Sequence, residues 1–264
     1  GQGKGQGRGQ GGQAHDQDGP AARLSLILGR PTDRSVTLSV LSAVGLDVYA
    51  EWGAATGTFT GKSPTVAIKA GEPTEVELDG LTPDTKYVYR LRTRAGAAGE
   101  FTAGEECSFH TQRAPGQTFT FALQGDSHPE RAGRMFDSDL YVRTMGNVAK
   151  DAPDFYILMG DDFSIDPLIE RNACTKGAVD RVYAHQRGFL GLVGRSSPLF
   201  LVNGNHEQAA RYTLDGTETS PGVLAACARN RMFPLPAPDA FYGGDAEPVE
   251  HVGLLRDYYA WTWG

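Results

Sequence analysis

Apolar residues along this chain follow two different patterns, and the change falls near residue 115. Leu24, Leu26 and Leu28 recur at every second position, and Val36, Leu38 and Val40 do the same. That two-residue period belongs to strands buried on one face. Val66–Ile68, Val76–Leu78, Tyr87–Leu91 and Ser108–Thr111 continue the series, and turn-forming segments such as Arg30-Pro31-Thr32-Asp33, Gly71-Glu72-Pro73 and Asp79-Gly80 separate them. Short strands with this punctuation predict an all-β sandwich over residues 22–113. Tyr49 and Trp52 alternate with charged positions and read as sandwich packing rather than a ligand platform.

Past the linker Arg113-Ala114-Pro115-Gly116-Gln117, the apolar runs become continuous: Phe119–Gln124, Phe155–Met159 and Leu199–Val202. Runs of this kind fit strands covered on both faces, as in parallel sheets. Helix-like stretches lie between them, one over about 138–150 with Leu140, Met145 and Val148 apolar, the other over about 178–192. Strand, helix, strand, helix, strand predicts an α/β layer within residues 117–264. Residues 1–21 are a Gly/Gln-rich tract that can bury no core, and they read as a disordered leader.

Composition narrows the partners. Of 264 residues, 40% are hydrophobic, which is enough for a substantial core. The net charge of −7 offers no electrostatic footprint for nucleic acid or anionic membranes. No apolar run reaches the roughly 20 residues of a membrane helix, and residues 1–20 contain no signal-peptide core. The three cysteines, Cys107, Cys174 and Cys227, are no disulfide framework; a Cys174–Cys227 pair and free buried thiols are both compatible with them.

All three continuous runs end alike. The first leads into Gly125-Asp126-Ser127-His128, the second into Gly160-Asp161-Asp162, the third into Asn203-Gly204-Asn205-His206-Glu207. Polar, metal-capable side chains thus recur just past a strand's carboxyl end, each time after a glycine. Open α/β sheets bind ligands at those ends, and glycine allows the sharp turn and close backbone approach. Carboxylate, imidazole and amide oxygen together suit Zn, Fe, Mn or similar ions.

In combination the three segments resemble the calcineurin-like metallophosphoesterase superfamily, whose pattern is Asp-x-His, Gly-Asp and Gly-Asn-His-(Asp/Glu). The match spans residues 119 to about 210. Upstream, the stretch from Leu78 to Tyr89 resembles the Leu-x-Pro-x-Thr-x-Tyr pattern of fibronectin type III modules, with Tyr87 at a tyrosine corner. Together the two are most similar to purple acid phosphatases and alkaline phosphatase D relatives.

The resemblance implies the first part of an α/β metallophosphoesterase sandwich preceded by an all-β fibronectin type III-like sandwich. It implies that Asp126 and His128 bind the first of two metal ions, Asp161 bridges both, and Asn205 binds the second. His206 would contact phosphate and act as general acid, with Glu207 and Asp162 in supporting positions. The implied reaction is hydrolysis of a small phosphate ester by a metal-bridging hydroxide, in a secreted or periplasmic protein, with no nucleic-acid partner.

Two departures stand out. Ser164 occupies the position where the purple enzymes carry tyrosine and the phosphoprotein phosphatases aspartate; Asp166, close by, reads as a surface or supporting residue. The family's later histidines, including a Gly-His-x-His, are missing after His206, where only His251 follows. With Asp257–Trp261 reading as the start of a strand, the chain is expected to be a portion of a longer enzyme. The alternatives are a non-catalytic binding or adhesion protein with a degenerate phosphoesterase domain, and another metal hydrolase such as a nuclease. His110, His185 and His251 read as structural, Phe163 as core or pocket floor, and Phe233–Pro238 as a loop crossing the surface.

Overall fold

A computed structural model describes residues 24–208 and 215–264. The expected disorder of residues 1–21 lies outside the described residues.

The first half is built from β1 (Leu24–Gly29), β2 (Val36–Ser42), β3 (Leu46–Gly53), β4 (Gly61–Lys62), β5 (Val66–Ile68), β6 (Thr74–Leu78), β7 (Lys86–Arg94), β8 (Thr102–Ala103) and β9 (Cys107–His110). Strands β1, β2 and β6 form one antiparallel sheet; β3 and β7 anchor a second, joined by β4, β5, β8 and β9. Their inward residues, among them Leu28, Leu38, Val40 from the first sheet and Val48, Ala50, Tyr89 from the second, share one core. The Tyr87 hydroxyl accepts the Thr82 backbone N–H at 2.9 Å, the bond of a tyrosine corner. Strand β3 had left little alternation to read: paired on both sides, it is buried from Val48 through Ala50 whichever way the side chains point.

The second half carries a parallel sheet in the order β10 (Phe121–Gln124), β11 (Phe155–Leu158), β12 (Leu199–Leu201). Two crossover helices connect it, α1 (Ser138–Asp151) and, after the short α2 (Asp166–Glu170), α3 (Lys176–Gly194). Each crossover starts at a side-chain cap. Asp137 accepts the Leu140 N–H at 2.9 Å, and Thr175 accepts the Ala178 N–H at 3.3 Å. Then come α4 (Pro221–Met232) and a small antiparallel pair, β13 (Gly243–Gly244) with β14 (Tyr259–Ala260). The buried positions of α4 are Ala225, Ala228, Arg229 and Met232. They have helical spacing, but small residues and an arginine hide it from a hydrophobic reading.

One face of the parallel sheet, through Tyr156, Leu158, Leu199 and Leu201, packs on Val179, Tyr183, Leu190 and Val193 of α3. Ile27 of β1 belongs to this same core, so the two halves are not separate bodies. Between them lies Arg187 of α3, fully buried, donating to the backbone oxygens of Ser39 (2.8 Å), Ser25 (3.2 Å) and Met232. Tyr89 donates to the Arg195 carbonyl at 2.6 Å, and Tyr242 to that of Pro31. The opposite sheet face packs Phe155 and Phe200 against Tyr242 and Trp263, while Phe121 and Leu123 are exposed.

One expectation is corrected. The Pro-rich stretch is not a surface crossing: Phe233 and Leu235 are buried, and Phe233 meets Phe163 edge-on at 5.3 Å. Its apolar residues fill the space beside α3, which outweighs the turn-like composition. Phe163 is core, stacked on Tyr183 at 4.6 Å. Cys107, Cys174 and Cys227 are all free thiols. Among the described residues, no helix is long and apolar enough to cross a membrane.

Candidate metal centre

The three polar segments leave the carboxyl ends of β10, β11 and β12, which lie side by side. Their backbones interlock. Asp126 N–H donates to the Gly160 carbonyl at 3.0 Å, and His128 N–H to the Asp161 carbonyl at 3.2 Å. Asp126, His128 and Asp161 all adopt left-handed conformations, with φ of 55°, 44° and 58°. Such conformations in non-glycine residues cost on the order of 1–3 kcal/mol each and cluster at functional sites.

The glycines permit the approach. A Cβ on Gly160 would sit 2.2 Å from the Gly204 nitrogen, and one on Gly204 would sit 2.3 Å from Asp161 Oδ1. Glu207 holds the assembly together. Its buried carboxylate accepts four backbone N–H groups: Asp161 (2.8 Å) and Gly204 (2.8 Å) on Oε2, Asp162 (2.7 Å) and Phe163 (2.9 Å) on Oε1. Asp161 in turn accepts the His206 backbone N–H at 3.1 Å.

On this frame His128, Asp161 and His206 each place one ligand-capable atom within 4.8 Å of the others. The two imidazoles meet edge-to-face, with centroids 4.8 Å apart. Each ring is held from behind by a carboxylate. Glu130 Oε1 accepts from His128 Nδ1 at 2.8 Å, and Asp166 Oδ2 from His206 Nδ1 at 2.7 Å. With Nδ1 committed, Nε2 of each ring is the nitrogen left for a ligand or substrate. Asp126, 79% exposed, has Oδ1 3.7 Å from His128 Nε2, so both side chains face one point. Asn205 is exposed on the turn that carries His206.

Two expected supporting residues have distinct surroundings. Glu207 grips the backbone that carries Asp161, rather than the His206 ring. Asp162 points away, into a buried polar group where Gln124 donates to it at 2.6 Å. Burial, and secondarily the nearby Glu207 charge, push its carboxyl up to about 7. Gln124 also meets Tyr141 and Tyr156 here, and Gln186 donates to Ser127 at 2.9 Å.

Glu130 escaped the sequence reading, although it stands only two residues beyond His128. Asp166, expected at the surface or in a supporting position, bonds the His206 ring. Ser164 lies 3.5 Å from the same His206 nitrogen. His185 lines a cleft of about 380 Å³ behind the site, together with Glu130, Asp162, Ser164, Arg181 and Gln186. His110 binds the Thr111 carbonyl at 2.7 Å, and the His251 backbone oxygen accepts from Cys227; neither belongs to the centre.

No protein-family model matches the sequence, and no curated protein matches it. Solved structures do share its fold. The structure of PhoD superimposes with a TM-score of 0.55 at 19% identity, covering 81% of this chain and 45% of that one. The purple acid phosphatase PPD1 isolated from yellow lupin (Lupinus luteus) seeds superimposes with a TM-score of 0.55 at 18% identity, covering 81% and 41%. The chain therefore has a mixed sheet-and-helix fold like that of these phosphatases, and spans less than half the length of either.

Proposed function

We propose that this chain carries part of a metal-dependent phosphoesterase centre, acting on a small phosphate ester. The observation that carries the reading is the convergence of His128, Asp161 and His206 within 4.8 Å, at the carboxyl ends of parallel strands. The donor set fits hard-to-borderline cations, and both imidazoles have Nδ1 occupied by a carboxylate.

In this reading Asp126 and His128 hold one ion, Asp161 faces two, and Asn205 completes the second position. Zn, Fe, Mn or similar ions there would offset phosphate charge and lower the pKa of water. The remaining work belongs to the chain. His206, oriented through Nδ1 by Asp166, presents Nε2 toward the ester, where it can hydrogen-bond a phosphate oxygen and deliver a proton to the leaving alkoxide. Glu207 ties the loop that carries Asp161 to the turn that carries His206. Ser164 in place of tyrosine speaks against an iron–phenolate centre. The upstream sandwich is read as fibronectin type III-like, supported by the Tyr87 corner.

The competing reading is a binding protein with a degenerate site. The Asp166–His206 pair favours the enzyme, because binding alone does not need an oriented proton donor. The test is chelator-competition titration of Zn²⁺ and Mn²⁺ on the wild-type chain and on Asp161→Asn, followed by hydrolysis of p-nitrophenyl phosphate and its bis ester. Binding weakened at least about tenfold in Asp161→Asn is expected. Absence of binding to the wild type, or binding indifferent to Asp161, would overturn the reading.

A further inference from the structure

Of the two carboxylates behind the paired histidines, Glu130 has the narrower environment. His128 is 6% exposed, and Pro129, which links it to Glu130, is buried. The three residues sit at the start of a single 3-10 turn, Pro129–Arg131. The His128 backbone is fixed by its N–H bond to the Asp161 carbonyl and by a left-handed φ of 44°. The backbone therefore determines where the ring starts. It leaves open the ring's rotation and which nitrogen carries the proton.

Glu130 settles both. A carboxylate only accepts, so the 2.8 Å contact requires the proton of the neutral ring on Nδ1. Nε2 is then the lone-pair nitrogen, on the side where Asp126 stands 3.7 Å away. Arg131 lies 3.4 Å from the same Oε1 and supplies a counter-charge. Glu130 Oε2 is buried and has no hydrogen-bond partner among the described residues. Burying a carboxylate with one oxygen unpaired is unfavourable, so packing alone gives no reason for an acid here. Its contact with His128 does.

We propose that Glu130 is a positioning residue for a cation held by His128: it fixes the ring's rotation and the Nδ1–H tautomer, so that the Nε2 lone pair faces the site before any ion arrives. The inference rests on the reading of Asp126, His128 and Asp161 as a metal centre. Outer partners of metal-binding histidines typically carry about 10- to 100-fold in affinity.

The experiment compares wild type, Glu130→Gln and Glu130→Leu in two measurements. The first is ¹⁵N NMR of the imidazoles in metal-free protein, at a pH where histidine is neutral. Wild type is expected to show His128 as the Nδ1–H tautomer. Glu130→Gln, whose amide oxygen can still accept, should keep it in part, and Glu130→Leu should lose it. The second is chelator-competition titration with Zn²⁺. Leu is expected to weaken binding about 10- to 100-fold and Gln by a smaller factor.

A wild type that binds Zn²⁺, with both variants binding equally well and the tautomer unchanged, overturns the role of Glu130 and leaves the centre standing. A wild type that binds no Zn²⁺ overturns the centre itself, and the tautomer measurement still judges the Glu130–His128 bond. Should Glu130→Leu fail to fold, the isosteric Glu130→Gln decides alone: unchanged affinity and tautomer refute the proposal, and a weakened site with an altered tautomer supports it.

Discussion

Glu207 Oε2 accepts the backbone N–H of Asp161 at 2.8 Å, across 46 residues of sequence, and accepts that of Gly204 at the same distance. One oxygen thereby ties the loop after β11 to the loop after β12. The second oxygen takes Asp162 and Phe163. A buried acid that satisfies four donors is a frame for the loops that carry Asp161 and His206, and its removal leaves those donors unpaired.

Glu207→Gln puts an amide NH₂ against two of the four donors. Each buried donor left unsatisfied costs about 1–3 kcal/mol. The expected loss is about 3 kcal/mol in the metal-free protein, read from the urea midpoint, together with weakened Zn²⁺ binding. A midpoint within about 0.5 kcal/mol of wild type would refute the framing role.

Gly204→Ala tests close approach in the same loop. Its Cβ would fall 2.3 Å from Asp161 Oδ1 and 2.7 Å from the Asp161 nitrogen. The nitrogen is backbone, and Oδ1 is held by the His206 backbone N–H, so the loops must part. A destabilisation of about 1–3 kcal/mol is expected from overpacking, with metal binding reduced by more than that stability loss accounts for. Retention of wild-type affinity would mean that the strand ends can separate without harm to the centre.

Arg187 tests whether the two halves unfold together. Replacing it with Met preserves much of the stem but leaves the Ser25, Ser39 and Met232 carbonyls without their charged donor. Bonds to a charged group are worth about 1.5–3 kcal/mol each, and the desolvation of the guanidinium offsets part of that. A net loss of about 2–4 kcal/mol is expected, and calorimetry should show one transition for the wild type that broadens or splits in Arg187→Met. An unchanged single transition would show that the shared core around Ile27 suffices.

Alkaline pH probes buried tyrosines in all three cores. Burial raises the hydroxyls of Tyr89, Tyr141, Tyr156, Tyr183 and Tyr242, and pushes Tyr259 up to about 12. Below pH of about 10 these groups are protonated in both folded and unfolded chains, and their contribution is fully present. Above it the unfolded chain releases protons that the folded chain keeps, so stability falls as pH rises, by up to about 1.4 kcal/mol per pH unit for each such tyrosine. Absorbance titration should show buried tyrosines ionising only as circular dichroism reports unfolding. Ionisation of all ten near pH 10 with the fold intact would contradict this.

The sequence made the strands legible where burial is one-sided or complete. Leu24, Leu26 and Leu28 alternate on the face of β1 turned to the sandwich core, whereas Ile27, between the last two, packs into the core of the second half. The three runs entering Gly125, Gly160 and Asn203 were continuous because both faces of the parallel strands carry apolar residues. The metal-capable residues were visible because each follows a glycine at a strand end. Their carboxylate partners were not. Glu130 reaches His128 only because a left-handed turn folds it back, and Asp166 reaches His206 across 40 residues. Arg229 hid α4 in a similar way: an arginine in a buried stripe reads as surface until its bonds to the carbonyls of Leu201 and Arg256 are seen.

Asp166 carries the last prediction, which concerns chemistry rather than stability. Its Oδ2 accepts from His206 Nδ1 at 2.7 Å, and its other oxygen is buried without a hydrogen-bond partner among the described residues. The carboxylate therefore both orients the ring and offsets charge when the imidazole is protonated. Asp166→Asn keeps the shape, loses the charge, and can turn its NH₂ toward Nδ1, which would favour the opposite tautomer. If His206 protonates the leaving group, kcat should fall by about 10² or more while KM changes little, because orientation of a proton donor matters in the transition state rather than in ground-state binding. The loss should shrink for esters with good leaving groups such as p-nitrophenol, whose departure needs little protonation, and grow for alkyl esters. An equal loss across both leaving groups would place Asp166 in the architecture of the site and remove His206 from the proton-transfer step.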